Sequence, residues 1–321
     1  MEEYTHPIIK GEFLENMLPD GVALVLEGGG TRGFYSAGVF EAFMDAGLGF
    51  PYIVGVSAGA ANALTYLAGQ KLRNRQIVQH YVRDSRYVSW RNLFRYRSLF
   101  GYDFIFREIP GRHLFWDREM FERHNVRFLT GAIDCESGRT VWFEKDEITE
   151  GFEAARASCA VPLVSRMVEY KGKKLLDGGV AAPIPIEKSI EDGNRFHVIV
   201  LTRNEGYRKK PIGNKNILRL VYRRYPKLVE AMQKRHEVYN RQLALCERLE
   251  REGKALIIRP LAPLSVGRTN RDTQKLLALY DEGHEEGKKA IYSLTSENRT
   301  SCAEFSGVKE YRTNFAKRGT I

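Results

Sequence analysis

Two five-residue apolar runs, each breaking into small residues and then into a helical pattern, constrain this chain more than any other feature. Val22-Ala23-Leu24-Val25-Leu26 gives way to Gly28-Gly29-Gly30. Beyond Gly33, the residues Phe34, Val39, Phe40 and Phe43 recur on neighbouring helical faces until Gly47 stops the pattern. Tyr52-Ile53-Val54-Gly55-Val56 gives way to Ser57-Ala58-Gly59, and residues 60–68 read as a buried helix. Apolar runs without alternation suit strands buried on both faces, the kind found in parallel sheets covered by helices. Further strands are predicted over 126–129, 140–143, 197–202 and 255–259, and helices over 71–85, 150–158, 185–192, 215–252 and 271–292. Strands alternating with helices predict an α/β fold with a mostly parallel central sheet and functional groups at strand ends. Beyond Ser293 the composition predicts a loosely held tail.

The 25 residues from Ala46 to Gln70 carry no charge and include Gly55-x-x-x-Gly59, which imitates a membrane dimer motif. Pro51, Ser57, Asn62 and Thr65 make the stretch too polar for a hydrocarbon core, so a short strand and a buried helix explain it better. The N-terminus opens on acids and holds no apolar run, so it does not read as a secretory signal. Cys135, Cys159, Cys246 and Cys302 lack CxxC spacing; they read as free thiols of a reducing cytosol rather than zinc ligands. No metal-ligand cluster is visible, and no cofactor is expected.

The net charge of +10 is uneven. Residues 71–97 hold eight Lys/Arg against one acid, and residues 203–251 hold fourteen against five, leaving the remainder of the chain at −6. Such clustering suits an anionic partner, either a membrane surface or nucleic acid, or a solvated helix face.

The chemistry concentrates in Gly55-Val56-Ser57-Ala58-Gly59, placed between a predicted strand and a predicted helix. A nucleophile elbow needs small neighbours there, because the turn that pushes the serine hydroxyl out of the sheet is too tight for larger ones. The helix start behind it offers N–H groups to a developing oxyanion. Gly28-Gly29-Gly30-Thr31-Arg32-Gly33 also spells G-x-G-x-x-G, but a dinucleotide site requires an acid at the tip of the second strand. Here that strand ends in serine, and no Gly-Lys-Ser/Thr follows to make a P-loop. An oxyanion hole beside the elbow is the reading left. A serine also needs a proton acceptor. None of the seven histidines follows a strand end in the usual order, His284 and His236 being the least unsuitable. Leu175-Leu176-Asp177-Gly178-Gly179 instead places a carboxylate after an apolar run, although taken alone it reads first as a plain Asp-Gly turn.

In this order GGGTRG, GVSAG and DGG resemble the three signature blocks of the patatin-like phospholipases, and Ala157-Ser158-Cys159-Ala160-Val161-Pro162 is similar to a fourth. The resemblance covers about residues 22–203. Leu256-Ile257-Ile258-Arg259-Pro260 and Leu279-Tyr280-Asp281-Glu282-Gly283 look like the C-terminal part of a bacterial branch of that family. It implies a three-layer α/β/α catalytic domain over 22–203, after an N-terminal segment 1–21. A C-terminal helical extension over 204–321, with one further strand at 255–259, would pack on it. The resemblance further implies a lipid acyl hydrolase cleaving carboxylic esters of phospholipids or lysophospholipids through a Ser57–Asp177 dyad and an acyl-enzyme. Gly28, Gly29 and Gly30 would form the oxyanion hole, with Ala58 beside it. Arg32, Gly33, Gly55, Gly59, Gly178 and Gly179 would support the motif.

Tyr87–Phe106 holds eight aromatics in 20 residues, with Arg91, Arg95 and Arg97 among them. The helical spacing of Tyr87, Trp90 and Phe94 predicts a core face; an acyl-chain groove or a headgroup contact is the functional alternative. The expected partners are a lipid ester and an anionic membrane met through 71–97 and 203–251, without nucleic acid, in a cytoplasmic protein peripheral to the inner face of the membrane. A Ser-His-Asp esterase and a non-catalytic binding protein on the same scaffold are the competing readings.

Overall fold

The two apolar runs lie at the centre of one eight-stranded sheet. The computed structural model describes residues 9–10, 14–149, 151–213 and 215–295. The strands are Val22–Leu26 (β1), Tyr52–Val56 (β2), Arg127–Asp134 (β3), Thr140–Glu144 (β4), Val168–Tyr170 (β5), Lys173–Asp177 (β6), Phe196–Val200 (β7) and Ala255–Ile258 (β8). They take the order β8-β7-β1-β2-β3-β6-β5, with β4 paired to β3. β8, β7, β1, β2 and β3 run parallel, while β6 joins β3 antiparallel, and β5 and β4 pair antiparallel with β6 and β3. The expected mostly parallel α/β sheet is present.

The helices that matter here are Phe34–Asp45 (α1), Ala58–Leu67 (α2), Arg73–His80 (α3), Trp90–Tyr96 (α4), Glu153–Cys159 (α5), Ile186–Glu191 (α6), Lys215–Val221 (α7), Pro226–Arg251 (α8) and Thr273–Thr295 (α9). Because β1 is apolar at every position, it buries both faces. Val22, Leu24 and Leu26 join one core layer with Phe40 of α1 and Leu64 of α2. Ala23 and Val25 join the other with Ile186 of α6 and Tyr239 and Leu243 of α8. The result is helix, sheet, helix. In the outer layer α9 crosses α1 so closely that a Cβ at Gly38 or Gly283 would overlap the facing backbone carbonyl.

Three predicted elements differ. The helix expected over 71–85 is limited to α3, preceded by Leu72 in the left-handed region at φ 61°. The helix expected over 215–252 is two, because Pro226 disfavours helical backbone at Tyr225 and is itself suited to a first helical position. Trp90 and Phe94 are not core: they are 69% and 86% exposed, on a short helix whose base is closed by a bridge between Val88 and Phe100. Helix α9 runs to Thr295, past the expected start of the tail, and residues 296–321, Cys302 included, lie outside the described residues, as do residues 1–8 with His6. No helix among the described residues is long and apolar enough to cross a membrane.

Candidate active site

The turn between β2 and α2 holds Ser57 at φ 54° and ψ −130°, a conformation that a non-glycine residue adopts only when its surroundings enforce it. The enforcement is visible. Gly59 sits where a Cβ would stand 2.7 Å from the Glu27 carbonyl oxygen, and Gly55 where one would stand 3.0 Å from the Ala60 nitrogen. The Ser57 N–H donates to Ser158 Oγ at 2.8 Å, and Ser158 Oγ donates to the Gly131 carbonyl at 2.6 Å. Ser158, on α5, therefore pins the turn and occupies the amide of Ser57 itself. Its place in the fourth motif block was the only sequence signal of this role.

Asp177 ends β6 and donates its own N–H to the Ala160 carbonyl at 2.8 Å, which ties the strand end to the segment after α5. The Ser57 hydroxyl donates to Asp177 Oδ2 at 2.9 Å, and Oδ1 accepts the Gly179 N–H at 2.7 Å. The approach requires glycine at 178, since a Cβ there would overlap the Gly131 carbonyl. Both residues are buried. Burial pushes the Asp177 carboxyl above the ordinary carboxylate range, while Arg235, the Ser57 hydroxyl, the Gly179 amide and Arg268 pull it back. Cys159 lies alongside, but burial, and then Asp177, push its thiol up, so it stays protonated and a poor nucleophile.

The Gly28–Gly30 turn comes in from β1. A Cβ on Gly28 would stand 3.0 Å from Ser57 Cβ, so the turn lies directly against the elbow. Among the described residues no protein acceptor takes the Gly28 or Gly29 N–H. The turn is held from two sides. Asn62 of α2 donates to the Gly33 carbonyl at 2.6 Å, and Gly33 faces Ala58. On the other side Thr31 donates its N–H to the Arg268 carbonyl at 2.9 Å and its hydroxyl to the Gly267 carbonyl at 3.0 Å. That second clamp comes from the loop before α9, which no motif pointed to. Arg32 is buried, its Nε has no hydrogen-bond partner, and burial, followed by repulsion from Arg203, lowers it to about 10.

From Ser57 an apolar cavity runs between α1 and α2 on one side and the aromatic stretch on the other, lined by Phe34, Ala61, Phe100, Tyr102, Phe106 and Trp116 among others. The described histidines lie elsewhere: His284 bonds Asp45 at the surface, His236 bonds the Gln233 carbonyl of its own helix, and His197 pairs with Ser189. No group of three or more His, Cys, Asp or Glu among the described residues could hold a metal ion.

Residues 24–189, just over half of the chain, match the family described as patatin-like phospholipase. The chain belongs to that family. Residues 225–297 match a domain of unknown function, DUF6363, which spans α8, β8 and α9. The chain is 26% identical over 198 residues to the uncharacterized protein YjjU of Escherichia coli, covering 57% of this chain and 52% of that protein. It is 29% identical over 174 residues to an uncharacterized NTE family protein of Mycobacterium bovis, covering 51% and 44%. The chain thus spans about half the length of the curated relatives it matches. Among solved structures, VipD from Legionella pneumophila aligns with a TM-score of 0.49 at 13% identity, over 86% of this chain and 67% of that one.

Proposed function

We propose that this patatin-like protein is a serine acyl hydrolase of lipid esters, with Ser57 as nucleophile and Asp177 as its proton acceptor. The observation that carries the reading is the direct hydrogen bond between Ser57 Oγ and Asp177 Oδ2, 2.9 Å long, at the end of an apolar cavity. Ser57 Oγ attacks the ester carbonyl carbon while Asp177 takes the hydroxyl proton. The carbonyl oxygen becomes an oxyanion facing the free N–H groups of the glycine turn. Collapse breaks the ester C–O bond, the departing alcohol takes the proton back from Asp177, and the acyl group stays on Ser57. A water then attacks the acyl-enzyme, Asp177 accepts its proton and returns it to Ser57 Oγ, and the free acid leaves. A buried carboxylate with a raised proton affinity is a better base for this step than one in water.

The competing triad reading requires a histidine at the serine, and no described histidine lines the cavity or bonds to either residue. A lipid surface is the expected donor of substrate, and α4 is the element suited to meet it. Trp90 and Phe94 are exposed there beside the exposed Arg91, Arg95 and Arg97. Apolar rings flanked by cations match an anionic interface. Labelling with a fluorophosphonate probe, followed by peptide mapping, tests the nucleophile. Modification of Ser57, lost in Ser57→Ala together with ester turnover, is expected; labelling of another serine defeats the assignment.

A further inference from the structure

The dyad has a second lining that the hydrolysis step leaves unused. Arg32, Arg203, Lys209, Arg235 and Arg268 come together beside it, and none of the five lines the apolar cavity. Arg235, on α8, donates Nε to the Gly179 carbonyl, and its Nη2 lies 3.6 Å from where a Gly179 Cβ would stand, one residue pair from Asp177. Arg268 gives its carbonyl to Thr31, which fixes its loop against the glycine turn, and among the described residues no hydrogen bond or ion pair takes its guanidinium. Lys209 is pinned through its backbone by Asn240 of α8, at 2.8 and 3.1 Å, with its ammonium over the Tyr239 ring.

The acids do not balance these charges. Glu27 and Asp177 are the carboxylates that act on the group. Glu27 accepts the Thr202 N–H at 2.6 Å, and Asp177 is engaged by Ser57 and Gly179. The neighbouring Glu247 and Glu250 pair with Arg208 and Arg259 instead. Four arginines and a lysine thus face two carboxylates already in use. Burial, and then Arg268, lowers Arg235 to about 10, and burial, and then Arg235 and Arg268, lowers Lys209 to about 7. A self-repelling, half-buried cluster destabilises the empty fold, and it is relieved when an anion with several acceptor oxygens enters.

Resting on the hydrolase reading, we propose that this arc receives the phosphate of a lipid headgroup while the acyl chain lies in the apolar cavity. The headgroup of such an ester is then selected by Lys209, Arg235 and Arg268 of the C-terminal extension together with Arg32 and Arg203 of the dyad's own domain.

The test compares kcat/KM for 1-oleoyl-lysophosphatidylglycerol and for 1-oleoylglycerol, in wild type, Lys209→Gln/Arg268→Gln and Lys209→Arg. The preference for the phosphate-bearing ester falls about tenfold or more in the double variant and is kept by Lys209→Arg. Inhibition of 1-oleoylglycerol turnover by sn-glycerol 3-phosphate weakens in parallel. An unchanged preference, with both esters still cleaved, overturns the arc and leaves the hydrolase standing. Inorganic phosphate inhibiting as strongly as glycerol phosphate, with that preference unchanged, marks a free-anion site and also overturns it. If wild type cleaves neither ester, the hydrolase reading fails instead. Calorimetry with glycerol 3-phosphate then decides the arc: binding lost in the double variant supports it, and no binding to wild type rejects it.

Discussion

Two regions meet at Ser57, and they treat buried charge in opposite ways. In the apolar cavity Arg73 is buried without a carboxylate partner, yet it donates to the Leu114 carbonyl at 3.1 Å and to Thr65 at 3.4 Å. Backbone and hydroxyl oxygens absorb that charge, and it is part of the wall. In the cationic arc, by contrast, Lys209 and Arg268 are held by their backbones, and no described oxygen takes the Arg268 guanidinium or the Lys209 ammonium, which lies over the Tyr239 ring; a buried Nε without a partner occurs in both regions, at Arg73 and at Arg32. A cation can therefore be buried for structure or kept available for a ligand, and its hydrogen bonds distinguish the two cases. The cavity is built from the patatin-like region; the arc draws Arg203, Lys209, Arg235 and Arg268 from beyond it.

The largest effect expected belongs to the point where both regions meet. Asp177→Asn keeps the size and one acceptor oxygen but removes the basicity, so ester turnover falls by about 10⁴-fold or more while binding persists. Steady-state and single-turnover kinetics check this; near-normal turnover would remove the dyad from the comparison. Next comes the cavity. Ala61→Phe fills part of its wall, so long-chain esters lose about tenfold or more in kcat/KM relative to acetate esters, with headgroup preference unaltered. A change in headgroup preference instead would mean that the two regions are not independent.

Arg235 belongs to both the arc and the dyad, which makes the pH profile informative. In the proposed mechanism ionised Asp177 accepts the proton, so activity is expected to be lost as pH falls through its raised pKa. Arg235 lowers that pKa. Arg235→Gln therefore raises it further, and the acid limb of kcat/KM moves to higher pH; an unmoved or lowered limb contradicts the electrostatic account. A smaller effect is expected at the surface. Trp90→Ala/Phe94→Ala weakens binding to anionic vesicles several-fold, as does added salt, in sedimentation assays. Indifference to both would return α4 to the role of a solvated helix. The smallest change is expected from His236→Ala and His284→Ala, which keep ester turnover within about twofold, since neither ring touches the dyad.

The sheet and the elbow were legible because their rules are local. A five-residue apolar run buries both faces wherever it folds, and glycines at 55 and 59 are dictated by the turn around Ser57 itself. Asp177 was legible only in part: a carboxylate before two glycines reads first as a turn, and the family resemblance supplied its partner. Contacts between distant segments were not legible. Ser158 reaches the Ser57 amide across 101 residues, and the loop at Arg268 reaches the glycine turn across more than 230. The same limit applied to Trp90 and Phe94, whose spacing fits a core face and a surface face alike until neighbouring elements decide which is covered. It applied to the basic stretch 203–251, where composition does not tell Arg208, paired with a carboxylate, from Lys209 beside it, whose ammonium lies over the Tyr239 ring. Turn sterics and strand burial act between neighbours in the chain, so the sequence by itself determined them. Which charges converge, and which lack a partner, depends on how α8 and the loop before α9 return to β1 and β6, and only the tertiary structure decided that.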